Sequence, residues 1–151
     1  MNDIEFRAME LSLQGFGCSQ VLALMGLEAQ GKTAPDLVRA MAGLQNGLGC
    51  GKVCGTLSGA CCVLGLYAGR GAPEETGDST LAPMLTELVT WFEDTFGRRY
   101  GGIDCKDIVG QDPRLRLERC PEIVIATIRK VTEILEANNC AVGGQAVVGF
   151  P

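Results

Sequence analysis

The chain has no histidine. That absence removes Ser-His-Asp and Cys-His nucleophile arrangements, mixed His/Cys zinc sites and CxxCH haem attachment. Aromatic residues are scarce at 5%, so aliphatic and small side chains must fill any core. No CxxC occurs, which leaves a thioredoxin-like dithiol site without local support. No stretch sustains apolar–polar alternation, the mark of a half-buried strand. Acids and bases are interspersed and the net charge is −5, which excludes a broad electropositive face for nucleic acid. The run GLGCGK is glycine-rich, but Val53 and Cys54 follow Lys52, so it satisfies neither a Walker A loop nor a dinucleotide fingerprint. Chemistry in this chain must run on sulfur, on carboxylates or on a bound cofactor.

What is present begins with size. At 151 residues and 46% apolar content, one domain with a real core is expected, burying about two-thirds of its unfolded surface. Eight cysteines fall below the density of a disulfide-built miniprotein. The N-terminal run MNDIEFRAME carries no basic n-region and no apolar h-region. The expected setting is therefore cytoplasmic and reducing, where clustered thiols are metal-binding or redox groups.

The centre of the chain is GLGCGKVCGTLSGACCVLGLYAG, Gly47 to Gly69. It reads as a glycine-rich loop, Gly47 to Val53, feeding a buried helix that begins at Cys54. The run from Val53 to Gly69 is 17 residues without a charge, at the lower limit for a membrane span. Its four glycines and three cysteines suit a buried helix of a soluble domain better, and no membrane span is expected.

Helical periodicity dominates elsewhere. Expected helices run Asp3 to Gln14, Cys18 to Ala29, and from Thr33-Ala34-Pro35 onward with Leu37, Met41 and Leu44 on one face. RGAPEETGDS is a loop. Thr80 to Tyr100 reads as the longest amphipathic helix, with Leu81, Leu85, Leu88, Trp91 or Phe92, and Phe96 packed in the core. A short helix starts at Cys105. Cys120-Pro121 launches the last long helix, with Val124, Ile128, Val131 and Leu135 on its apolar face. The expected fold is all-α, a compact single-domain bundle of about six to seven helices around the central Gly/Cys-rich helix. It occupies residues 1–140, with 141–151 an irregular or disordered tail. The central helix is apolar on more than one face, which points to a homodimer.

Four cysteines share a local grammar. Cys18-Ser-Gln-Val, Cys54-Gly-Thr-Leu, Cys105-Lys-Asp-Ile and Cys120-Pro-Glu-Ile each read cysteine, any residue, a polar residue, then an aliphatic. Each follows a break and precedes a helical stretch. A sulfur at a helix start meets unpaired N–H groups and the positive dipole end, which favour a thiolate. The +3 aliphatics, Val21, Leu57, Ile108 and Ile123, turn into the core. Converging starts of this kind suit an anionic four-thiolate site holding iron–sulfur or zinc by ligand softness. The competing reading is four small buried hydrophobes. Cys50 and Cys61 are substitute ligands, at least one of the adjacent Cys61 and Cys62 reads as core packing, and Cys140 reads as a free thiol.

These segments carry a resemblance. GFGCSQ, CGTLSGA, FGRRYGGIDCKDIVG and CPEIV, in this order, resemble the C_GCAxxG_C_C proteins, with Thr56 where those proteins usually have alanine. The likeness extends from residue 5 to about 138. It implies redox activity or a prosthetic group on Cys18, Cys54, Cys105 and Cys120, and an oxidoreductase or transporter-associated partner. A distant similarity to the helical domain of split-Soret cytochromes implies an iron–sulfur cluster, without the haem site. The expectation is a small electron-transfer protein, accessory to an oxidoreductase, that uses these four cysteines. The alternatives are a thiol–disulfide protein without metal, and an interaction module with zinc-bound or buried structural cysteines.

Overall fold

Asn2 opens the chain's first helix by accepting the Glu5 N–H on its side chain at 3.0 Å, as an N-cap should. The computed structural model describes residues 2–142 and 145–146. Helix α1 spans Asp3–Leu13, α2 Cys18–Ala29 and α3 Pro35–Met41, the last extended by a 3₁₀ turn, Ala42–Leu44. The central helix α4 is Gly55–Ala68, with Cys54 as its N-cap. Helix α5, Leu81–Phe92, continues through a wide turn at Glu93–Gly97 into α6, Arg98–Tyr100. The short α7 is Cys105–Ile108 and the long α8 is Pro113–Ala137. The fold is all-α, as the periodicity requires. Its strands among the described residues are two-residue pairs, Ala141–Val142 against Gln145–Ala146. The rest of the expected tail lies outside the described residues.

Helix α4 sits in the middle, packed chiefly on α2 and also on α5 and α8. Leu57, Ala60, Val63 and Leu64 of α4 meet Leu22 and Met25 of α2, Leu88 and Phe92 of α5, and Ile128 and Val131 of α8 in one buried cluster. Burying each such large side chain contributes about 1.5–3 kcal/mol. The contact between α2 and α4 is close because of Gly59. A Cβ built there would lie 3.0 Å from the Ser19 Cα, so the backbones approach within the reach of one methyl. Ser19 beneath it is buried, and its hydroxyl donates to the Met41 carbonyl at 2.7 Å, which ties α2 to the end of α3. No helix among the described residues is long and apolar enough to cross a membrane.

The aromatic end of α5 is core. Phe92 and Phe96 are buried, and Trp91 meets Phe96 edge-on with ring centroids 5.7 Å apart. Met84 belongs to the same buried face, a position the leucine spacing passed over.

Two expectations fail together. The Thr80–Tyr100 run is not the longest helix, because α8 has 25 residues. Nor does α8 start at Cys120-Pro121. It starts at Pro113, where the Asp112 carboxylate accepts the Arg114 N–H at 2.9 Å. Pro121 therefore lies inside the helix. Its missing N–H leaves the Leu117 carbonyl without a helical partner. Leu117 is 79% exposed, so water is at hand. Asp112-Pro113 and Cys120-Pro121 are both valid start signals, and the carboxylate cap decides between them.

Replacing Pro121 tests this assignment. Pro121→Ala restores a helical N–H in mid-helix and is expected to stabilise the fold by up to about 3 kcal/mol, read from denaturant melts. A neutral or destabilising result would return Pro121 to a helix start.

Candidate functional site

The site is assembled by three local ties. The first joins α2 to α4 at Gly55, the residue after Cys54. A Cβ built on Gly55 would lie 2.7 Å from the Cys18 Sγ and 2.8 Å from the Leu44 carbonyl oxygen. Only glycine lets the two cysteine-bearing helix starts come this close.

The second tie is a single antiparallel bridge between Val53 and Asp104. Across it the Cys54 N–H donates to the Ile103 carbonyl at 3.0 Å, and the Cys105 N–H to the Lys52 carbonyl at 2.6 Å. Both cysteine backbones are thus pinned by the same bridge. The third tie is Arg119, whose guanidinium donates to the Ile108 carbonyl at 2.5 Å and stands over the Tyr100 ring at 4.6 Å. It anchors α8 to the C-terminal end of α7, where a cation is favoured. Cys120 follows it directly.

Through these ties Cys18, Cys54, Cys105 and Cys120 line one cavity of about 20 Å³, together with Asn46, Gly55, Thr56, Ile108, Val109, Arg116 and Ile123. The +3 aliphatics Val21, Leu57, Ile108 and Ile123 are all buried, each 2% exposed or less. The shared grammar does orient the four segments. Its expected cause holds for three of the four. Cys18 and Cys105 are first residues of helices and Cys54 is an N-cap, whereas Cys120 projects from the interior of α8.

Cys50 and Cys61 do not line the cavity. Cys50 is exposed on the loop, and its thiol donates to the Gly47 carbonyl at 3.7 Å. Cys61 and Cys62 lie further along α4. Burial, with Cys62 adding, pushes the Cys61 thiol up to about 11. Cys140 is buried, its sulfur 3.8 Å from that of Met84, so it is a core residue.

Cys54 and Cys120 are held toward the neutral thiol, contrary to the helix-dipole expectation. Burial raises the pKa of Cys54, and the N–H groups of Leu57 and Thr56 only partly offset it. Burial also pushes Cys120 up to about 11; Cys54 adds to the rise and Arg116, one turn earlier on α8, opposes it. Ionisation here needs a further positive partner. Among the described residues no group of three cysteines or carboxylates stands arranged to hold a metal ion.

Two features were not legible as site residues. Arg116 bonds through its guanidinium to the Asn46 side chain, and both line the cavity. Asn46, Gly47, Leu48 and Gly49 are all left-handed, with φ of 57°, 64°, 60° and 70°, a run that leucine rarely joins. The glycines at 47, 49 and 51 signalled the loop, and Asn-Gly at 46–47 was its start.

A model of the family described as "Putative redox-active protein (C_GCAxxG_C_C)" matches residues 16–134. No curated protein matches the chain, and no solved structure does.

Gly55→Ala puts a methyl against the Cys18 sulfur and the Leu44 carbonyl. It is expected to lower stability by about 1–3 kcal/mol in denaturant melts, while Gly65→Ala, with open space around it, does not.

Proposed function

Since the chain belongs to the C_GCAxxG_C_C family, we propose that its four-cysteine cavity is an electron-transfer centre carried by an iron–sulfur cluster. The family description supports a general redox role. The observation that carries the finer reading is that four cysteines spread between residues 18 and 120 line one cavity to which no carboxylate contributes. That donor set, four soft thiols with no carboxylate among the described lining residues, fits an iron–sulfur cluster. When bound, the cluster supplies a one-electron couple.

The chain's own residues do the rest. Cys18, Cys54, Cys105 and Cys120 would hold the group. Ile108, Val109 and Ile123 exclude water from it, which sharpens electrostatics inside. The N–H groups of Thr56 and Leu57 favour negative charge at Cys54, and Arg116 does so at Cys120. An oxidoreductase or transporter-associated protein is the partner such a role requires.

A second reading rests on the cavity's size. About 20 Å³ is the room of roughly one water, which suits a closed thiol pair. In that reading two of the four thiols form a disulfide, giving up two electrons to an external oxidant and two protons to water.

Anaerobically purified protein separates them. The cluster reading expects a brown protein with iron and acid-labile sulfide. Cys54→Ser is expected to lose both while the helical circular dichroism stays nearly unchanged, because serine still caps a helix. Colourless protein that reversibly loses two free thiols on oxidation supports the disulfide reading. Bound zinc, or four thiols inert to oxidants, overturns both.

A further inference from the structure

Exposed aliphatic and cationic side chains lie close to the cysteine cavity in the chain. Six large hydrophobic side chains are exposed among the described residues. Phe6, Met9 and Leu13 form a stripe on α1, and the other three each lie within two residues of one that lines the cavity. Leu48 is 52% exposed, on the loop that carries Asn46; Val53 is 36% exposed and precedes Cys54; Leu117 is 79% exposed and follows Arg116. Leu48 is held in the left-handed region at φ 60° and ψ 30°. A leucine there stores about 1–2 kcal/mol of strain that glycine would not, and its side chain covers no core.

Cations alternate with these aliphatics. Lys52 lies between Leu48 and Val53, Lys106 follows Cys105, and Arg116 lines the cavity itself. All three are exposed. None of them joins an ion pair with a carboxylate among the described residues, whereas Arg98, Arg99 and Arg114 nearby pair with Asp94, Glu122 and Asp112. Backbone ties place them together. The Lys52 carbonyl holds the Cys105 N–H, and a Cβ on Gly51 would lie 3.3 Å from the Lys106 Cβ. A protein of net charge −5 thus carries three exposed cations without carboxylate partners near its thiol cavity, beside the half-buried Asp104 and Asp107.

We infer that Leu48, Val53 and Leu117, with Lys52, Lys106 and Arg116, form a docking face for an acidic protein. The aliphatics supply the desolvated contact and the cations steer and orient the partner. Nucleic acid would gain from the cations but not from three exposed aliphatics, and the chain's overall negative charge repels it. The choice of an electron carrier as partner rests on the redox reading above. The face itself rests on exposure and charge.

The test uses full-length protein titrated with two acidic electron carriers, a plant-type [2Fe–2S] ferredoxin and a flavodoxin. Cytochrome c is the basic counter-probe and duplex DNA the nucleic-acid one. At least one acidic carrier is expected to bind, and to lose about tenfold or more in association rate between low and high salt. Lys52→Gln with Lys106→Gln is expected to lower that rate and flatten its salt dependence. Leu48→Gly is expected to speed dissociation while raising or preserving the thermal midpoint, so weakened binding cannot be laid to unfolding. Absence of binding by both carriers, binding unchanged in both variants, or tighter binding of cytochrome c or DNA overturns the docking face. Binding through this face by a chain that lacks any redox couple would keep the docking face and sink only the redox reading.

Discussion

Much of this structure depends on how closely α4 can lie against α2. Gly59 admits the Ser19 backbone and Gly55 admits the Cys18 sulfur. Two glycines four residues apart on one helix face therefore set both the packing of the central layer and the distance between two of the four cysteines. The core and the cavity share one seam. A larger residue at either position would have to separate the helices, and the separation would be felt at both ends.

The other two cysteines reach the cavity by different means. Cys105 is delivered by one bridge of backbone hydrogen bonds between Lys52–Cys54 and Ile103–Cys105. Cys120 is delivered by a helix that runs past the site and is fastened by Arg119. Burial of the Cys54 and Cys120 sulfurs works against ionisation, and the helix-start N–H groups at Cys54 do not outweigh it. A buried thiolate would be expensive without compensation. A bound cation or a shared positive charge would lower that penalty.

A good part of this was legible in the sequence. The bounds of α2 and the start of α1 follow from their caps and periodicity, and the buried face Val124, Ile128, Val131 and Leu135 follows from 3.6-residue spacing. The pairing of cysteine with a +3 aliphatic pointed to segments that share one cavity. The place of Cys120 within α8 was not legible from local signals, because a proline after a cysteine marks a helix start as readily as it interrupts a helix. The thiol energetics were missed for a different reason. A helix dipole can be inferred from sequence, but the burial that opposes it at Cys54 and Cys120 comes from the tertiary packing that brings residues such as Ile108, Val109 and Ile123 to the same cavity. The Asn46–Arg116 contact joins residues 70 positions apart, and no local pattern announces it.

The central claim is that four sulfurs act as one redox centre, and a potentiometric titration tests it most directly. Anaerobic protein is titrated while its spectrum and free thiols are followed, for the wild type and for single serine variants of each cysteine in turn. The account predicts one couple that is lost or shifted in the variants at Cys18, Cys54, Cys105 and Cys120 and unchanged in the variant at Cys62. A couple that survives loss of all four in turn, or that depends on Cys62 as strongly as on Cys54, would contradict it.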